Sequence, residues 1–316
     1  ARFSCSAITE VMLGYMWSPL YETALVMILP EVILYMAPGF TWTWSADVPA
    51  GKELGACIIT GGNLIVTGTI RVQGADTRSL QVNTGGTLHY NSPGALDTSG
   101  ATNRYLVVNN GSLDQTSGAA ITTSTYNPRQ YWKGTVTFIG SNGADSDLNL
   151  GTGAVTINGN RTVNVQHPDT TLTVGGVIAG TTATYGLTKA GDGTLELNGV
   201  NTYTGATAVN AGTLGGKGTI AGTLTVGANA ALAPGSIVDP GGPAGTMTVG
   251  TVAAPTSLTM VADAIYQWQL GSAAADKIVV NGNLDLATGW VLKLIDAGGS
   301  PVGEYDLFTY TGSFTG

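Results

Sequence analysis

The sequence is poor in charge: Asp, Glu, Lys and Arg together make up 10% of its 316 residues, and the 12 basic ones form no cluster anywhere. A nucleic-acid surface needs clustered cations to neutralise phosphates, so that class of partner is not expected. Cysteine is scarce as well. Cys5 and Cys57 allow at most one intrachain bridge. Either both stay as buried or free thiols, or a disulfide ties the N-terminal segment to the first repeats, which requires an oxidising compartment. The 47 glycines follow no Gly-X-Y period and stand beside only 12 prolines, which excludes collagen. Disorder is excluded by the opposite excess, 43% hydrophobic residues. The balance of charge is acidic, at −8.

Long hydrophobic runs are missing too. Residues 7–40 hold Met12, Met16, Met27 and Met36, but Glu10, Pro19, Glu22, Pro30, Glu31 and Pro38 interrupt the segment. No stretch reaches the roughly 18 residues of a membrane span. Arg2 is its one basic residue and no small-x-small site follows, which argues against a secretory leader. Ile8, Val11, Met12, Tyr15 and Met16 share one helical face, and Ser18-Pro19 reads as an N-cap, so helices are predicted near 7–17 and 20–29.

What the chain has instead is a returning phrase: Gly, then Thr, Ser or Asn, then an apolar residue. It stands at Gly62-Asn63-Leu64, Gly86-Thr87-Leu88, Gly111-Ser112-Leu113 and Gly134-Thr135-Val136, and again at Gly193, Gly212, Gly222, Gly245 and Gly282. From Gly62 to Gly134 the glycines are 24, 25 and 23 positions apart. A period of about 20–25 residues, one short strand and a turn each, is the mark of a solenoid. The fold class predicted is all-β, a parallel β-solenoid with a hydrophobic N-terminal segment. About a dozen rungs at ~4.8 Å would make a rod roughly 55–60 Å long.

The alternation over 40–45 predicts the first strand, with further strands at 64–66, 69–72, 80–82, 88–90, 106–108, 135–138, 155–157, 162–165 and 172–174. More follow at 195–197, 208–210, 224–226, 247–249, 278–280, 284–286 and 290–294. Asn-Gly at 110, 142, 158, 198 and 281 predicts turns with positive φ. The organisation expected is a hydrophobic assembly or capping segment over 1–39, solenoid repeats over 40–260, and terminal rungs or a cap over 261–316.

Residues 186–199 read Gly-Leu-Thr-Lys-Ala-Gly-Asp-Gly-Thr-Leu-Glu-Leu-Asn-Gly, and 200–214 continue Val-Asn-Thr-Tyr-Thr-Gly-Ala-Thr-Ala-Val-Asn-Ala-Gly-Thr-Leu. This closely resembles the autotransporter-associated β-strand repeat of large bacterial surface and secreted proteins. Leu232-Ala233-Pro234-Gly235 and residues 303–312 are similar to the passenger ends of such proteins, while 46–185 fit loosely and 1–39 do not fit. The resemblance implies an exported parallel β-solenoid and no particular activity. Autotransporters end in a membrane barrel and some relatives in a sorting anchor. Neither is seen before Gly316, so either an anchor has been removed or surface attachment is expected by another route.

Chemistry-bearing patterns are thin. Gly212–Thr219 departs from a phosphate loop at Ala211 and Gly218. Asp145, Asp147 and Asn149 alternate as Ca²⁺ ligands can, but Leu150 and Thr156 stand where an EF-hand has Gly and Glu. His89 and His167 are the only histidines and lack metal-ligand spacing. The sequons at Asn110 and Asn160 are of the kind a Thr- and Asn-rich chain produces by chance. No catalytic, cofactor or metal site is therefore expected. A polysaccharide lyase or hydrolase would have to use Asp145, Asp147 and Arg161, or Asp169 with His167. Tyr126, Tyr131 and Trp132 beside Arg129 and Lys133 could stack sugars on an exposed loop, or form a local packing patch.

The function expected is a non-enzymatic extracellular structural protein, a self-assembling subunit of a surface filament or layer. Its partner would be a second copy, through Met12, Met16, Trp17, Leu25, Ile28, Ile33 and Tyr35. The alternative is an adhesin passenger that binds a glycan or host surface.

Overall fold

The computed structural model describes residues 33–36, 38–39, 41–45, 54–72, 79–97, 105–123, 127–235, 244–271, 275–296 and 303–316. Short strands alternate between buried and partly exposed side chains, as in Asn63–Val66, where Leu64 and Val66 are buried and Asn63 and Ile65 face outward. Every strand-to-strand pairing is parallel and joins one turn of the coil to the next, as Thr41 with Asn63, Asn63 with Thr87, and Thr87 with Ser112. The chain is a parallel β-solenoid.

Each turn visits three lateral faces. The first carries a 7-stranded sheet from Ile33–Met36 to Ile178–Gly180 and, later in the chain, a 4-stranded sheet from Thr219–Ile220 to Phe308–Tyr310. The second carries a 12-stranded sheet from Thr41–Trp44 to Phe314–Thr315, and the third an 8-stranded sheet from Ile121–Thr122 to Val291–Asp296. The two sheets of the first face are joined at Asn201. Its side-chain oxygen accepts the Ile178 N–H at 2.9 Å, and its amide donates to the Thr219 carbonyl at 3.0 Å. Twelve strands make eleven steps of about 4.8 Å, or roughly 53 Å.

The core is a set of ladders. On the second face Leu64, Leu88, Leu113, Phe138 and Val165 stack in register, and on the third Leu148, Leu172, Leu195, Leu214, Leu232 and Tyr266 do the same. One turn alone could not bury these side chains, whereas neighbouring turns cover one another. Turn length varies from 17 residues between Ala208 and Thr225 to 34 between Thr225 and Thr259, because the corners absorb the difference.

Several expectations need correcting. The Gly-Thr-Leu phrase recurs on all three faces rather than once per turn. Gly86 and Gly222 precede second-face strands, Gly193 and Gly212 third-face strands, and Gly245 a first-face strand. What the sites share is a tight corner: a Cβ on Gly86 would stand 2.6 Å from the Ile59 carbonyl oxygen of the preceding turn. Gly134 is also out of register, since Gly111 pairs with Val136. A slip of two residues leaves the same side chains inward, so the reading of the core survives it.

The first strand is not 40–45. Ile33–Met36 already pairs with Ala56–Ile59, so the solenoid begins within the segment set ahead of it. Of the Asn-Gly pairs, positive φ occurs at Asn110, Gly143 and Gly282 but at neither residue of the pairs beginning at 158 and 198. There the asparagine side chain does the work: Asn198 Oδ1 accepts the Lys217 N–H of the next turn at 2.8 Å. The stretch 69–72 forms isolated bridges, Ile70 to Leu96 and Val72 to Leu54, rather than a strand. The helices predicted near 7–17 and 20–29 lie outside the described residues. The one helical element among the described residues is a 3-10 turn, Gly143–Ser146.

Candidate functional site

The passenger-like stretch shows where polar side chains go. In Leu187–Ala190, Lys189 shares the inward parity of Leu187, pairs with Val163 and Val209, and is wholly buried. Its ammonium donates to the carbonyls of Ala190, Gly191 and Ala211 at 2.9, 2.6 and 3.1 Å. Burial pulls its pKa down to about 8 against a weaker opposing pull from Asp192. Tyr203, also buried, spends its hydroxyl on Thr207 Oγ1 at 2.9 Å. These groups serve the corners and reach no surface.

Of the residues proposed for polysaccharide chemistry, Asp145 and Asp147 are neighbours, but Arg161 is committed elsewhere. Arg161 donates to the Trp132 carbonyl at 2.9 Å, to its neighbour's carbonyl, and to Asn158 Oδ1, which makes it a corner staple. Asp145 sits in the 3-10 turn, exposed. Asp147 accepts the Thr171 N–H at 2.7 Å. Burial raises its pKa to about 6, with help from the nearby charges of Glu196 and Asp145. His167 Nδ1 accepts the Asp169 N–H at 3.2 Å, a local turn rather than an imidazole–carboxylate pair. Among the described residues no three His, Cys, Asp or Glu side chains are grouped to hold a metal. Gly212–Thr219 forms the strand Thr213–Gly216 and a corner. Both sequon asparagines are engaged: Asn110 accepts the Thr135 N–H, and Asn160 the Gly186 N–H, each at 2.9 Å.

A His–Asp–Ser cluster was missed, because its members come from three successive turns. Asp114 accepts the Ser141 N–H at 3.0 Å, the Ser141 hydroxyl, and the Gln115 N–H at 2.9 Å, with His89 Nδ1 3.4 Å away. Burial alone would raise the Asp114 pKa, but the neighbouring His89 imidazole and the hydrogen bonds from Ser141 and Gln115 outweigh it and hold the carboxyl below its usual range. Ser141 directs its hydroxyl to the carboxylate and not to the imidazole, so no nucleophile–base contact exists. The cluster ties turns together.

The aromatic group is a strand, Arg129–Trp132, and not a loop. Trp132 is wholly buried and donates to Gln130 Oε1 at 3.0 Å, so it cannot stack a ligand. Tyr131 faces outward, with the Lys133 ammonium 4.9 Å from its ring centre, and Arg129 is exposed on the same face. Tyr126 lies outside the described residues. So do Met12, Met16, Trp17, Leu25, Ile28 and Cys5. Ile33 and Tyr35 belong to the strand that pairs with Ala56–Ile59. Cys57 is a buried free thiol in that neighbouring strand, its pKa pushed up to about 12 by desolvation.

Glu196, expected on the solvent face, is 3% exposed and accepts from Thr173 Oγ1 at 3.2 Å. It does lie opposite Leu195 and Leu197 in the alternation. All four positions of Thr194–Leu197 are nevertheless buried.

Fold and corners together define a stacked-repeat scaffold. Comparison with known proteins makes this specific. Residues 187–215 match the Passenger-associated-transport-repeat family, so the chain carries an autotransporter-associated repeat. The chain is also similar to the adhesin BmaC autotransporter of Brucella suis biovar 1 (strain 1330), 47% identical over 78 residues. That match covers 25% of this chain and spans 2% of the relative's length. No solved structure matches.

Proposed function

We propose that this chain is a non-enzymatic passenger segment that holds an adhesive surface outside the bacterial cell. The observation that carries the reading is the passenger repeat at 187–215, built into the solenoid with its buried Lys189 and Asn201 committed to joining turns and Tyr203 to bracing a corner. A scaffold of this kind leaves its outward faces free to vary. The similarity to an autotransporter adhesin supports the same reading. The test is to display the chain on a non-adherent bacterium and measure attachment to host cells. Attachment that purified chain inhibits saturably supports the proposal, and attachment equal to that of the undecorated bacterium refutes it.

A second reading, self-assembly into a filament or layer, draws on one feature. The last strand of the third face leaves its inward Leu292 and Leu294 43% and 60% exposed, and Phe314 in the last strand of the second face is 52% exposed. Exposed apolar side chains on the outermost described strand favour a further strand, here one from a second copy. Sedimentation over a wide concentration range distinguishes the readings. Growth into long polymers supports assembly, and a persistent monomer removes it.

A further inference from the structure

Arg129 and Tyr131 sit on a face whose described strands carry no carboxylate, in an acidic chain. None of the seven strands in the first-face sheet contains Asp or Glu, nor does any of the four strands that continue that face. The net charge of the whole chain is −8, so the absence is local. At the centre of the face the outward positions pair as Tyr105 with Arg129, and Val107 with Tyr131 and then Thr156. Val107 is 1% exposed although it points outward, so the ground beside the tyrosines is apolar and filled. Tyr105 and Tyr131 are half-buried and Arg129 is exposed. The Lys133 ammonium rests over the Tyr131 ring, and the Arg161 guanidinium lies in the neighbourhood of Tyr131 and Tyr185.

From this geometry we infer that the first face, around Arg129, Tyr131 and Tyr105, binds an acidic polysaccharide, one bearing carboxylate or sulfate groups. The inference rests on the adhesive reading and names its ligand class. Arg129 on the strand and Lys133 just past its end border Tyr131 with two cations, the Lys133 ammonium 4.9 Å from the ring centre, which suits an anionic group held beside the aromatic. The guanidinium offers paired N–H donors to carboxylate or sulfate oxygens. Tyr105, one turn away from Arg129, supplies a ring beside which the C–H face of a sugar can lie. The outward positions of Arg129, Tyr131 and Tyr105 lie on successive turns, so a long ligand can run across them. A polyanion would be repelled wherever carboxylates stand, and this face has none in its strands.

The test uses the full chain and immobilised dextran sulfate, polygalacturonate and unmodified dextran. Binding to either charged polymer but not to dextran is expected, and the preferred one tells sulfate from carboxylate recognition. Arg129→Gln and Tyr131→Ala should each weaken that binding by about ten-fold or more, while Lys293→Gln, which removes an exposed charge on the third face, leaves it within about two-fold. Raising salt should weaken it further. Absence of binding to both charged polymers, or equal loss in all three variants, overturns the inference. If displayed chain still mediates attachment in either case, the adhesive reading stands without this ligand. If attachment is absent too, the adhesive reading falls with it.

Discussion

Lys189 carries a charge into a region where most residues are Leu and Val, and three carbonyls hold it there. Its folded-state pKa, about 8, lies below the ordinary 10.5. The folded chain therefore binds this proton less tightly than the unfolded chain. The penalty is complete below about pH 8, and it fades as pH rises from there towards 10.5. Lys189→Met should cost about 1–3 kcal/mol at pH 7 by leaving carbonyls unsatisfied. The gap to the parent chain should widen between pH 7 and pH 9.5 in denaturant titrations, and a gap that narrows would contradict the account. The clue was present in the sequence, since Lys189 has the parity of Leu187, but a lysine is normally assigned outward.

Leu195 and Glu196 show the same limit from the other side. Leu195→Ala should cost about 2–5 kcal/mol as a core truncation. Glu196→Ala should also destabilise measurably, because this outward glutamate is buried and hydrogen-bonded. Thermal unfolding of both variants checks the pair, and a neutral Glu196→Ala would restore the solvent-facing reading. Period-two alternation tells which side of a sheet a residue takes. It does not tell whether that side is covered.

At the scale of the strand and corner, the apolar alternation located elements such as Val155–Ile157 and Leu224–Val226 to the residue. Strands without that signature were missed: Ala231–Pro234 is alanine-rich and ends on proline, and Arg129–Trp132 reads as a charged aromatic cluster. Corners were legible as glycines but not as faces, because the same close approach to the preceding turn recurs at each edge of the coil. Gly86→Ala should cost about 1–3 kcal/mol, as overpacking does, since its Cβ would press on the Ile59 carbonyl. Gly303→Ala, whose Cβ meets nothing nearer than the Tyr305 ring at 3.9 Å, should be close to neutral. Equal effects in unfolding experiments would mean that Gly86 is not at a tight corner. The His89–Asp114–Ser141 cluster and the Tyr105–Arg129 pairing could not be read from spacing. Both depend on register between turns of unequal length.

For the whole molecule, the recognisable repeat covers 187–215, yet parallel pairing on the second face runs unbroken from Thr41–Trp44 to Phe314–Thr315. The central claim is that one solenoid extends on both sides of that repeat and so presents the first face, where Arg129 and Tyr131 stand, as a rigid surface. In such a coil each turn is stabilised by its neighbours, so protection should spread through contiguous turns rather than reside in one motif. Amide hydrogen exchange read by mass spectrometry tests this directly. The account predicts slow exchange in Leu80–Asn83, Tyr105–Asn109, Arg129–Trp132 and Ile278–Val280 peptides comparable with that in Leu187–Ala190 and Thr194–Leu197. Slow exchange confined to 187–215, with rapid exchange in the earlier first-face strands, would contradict it.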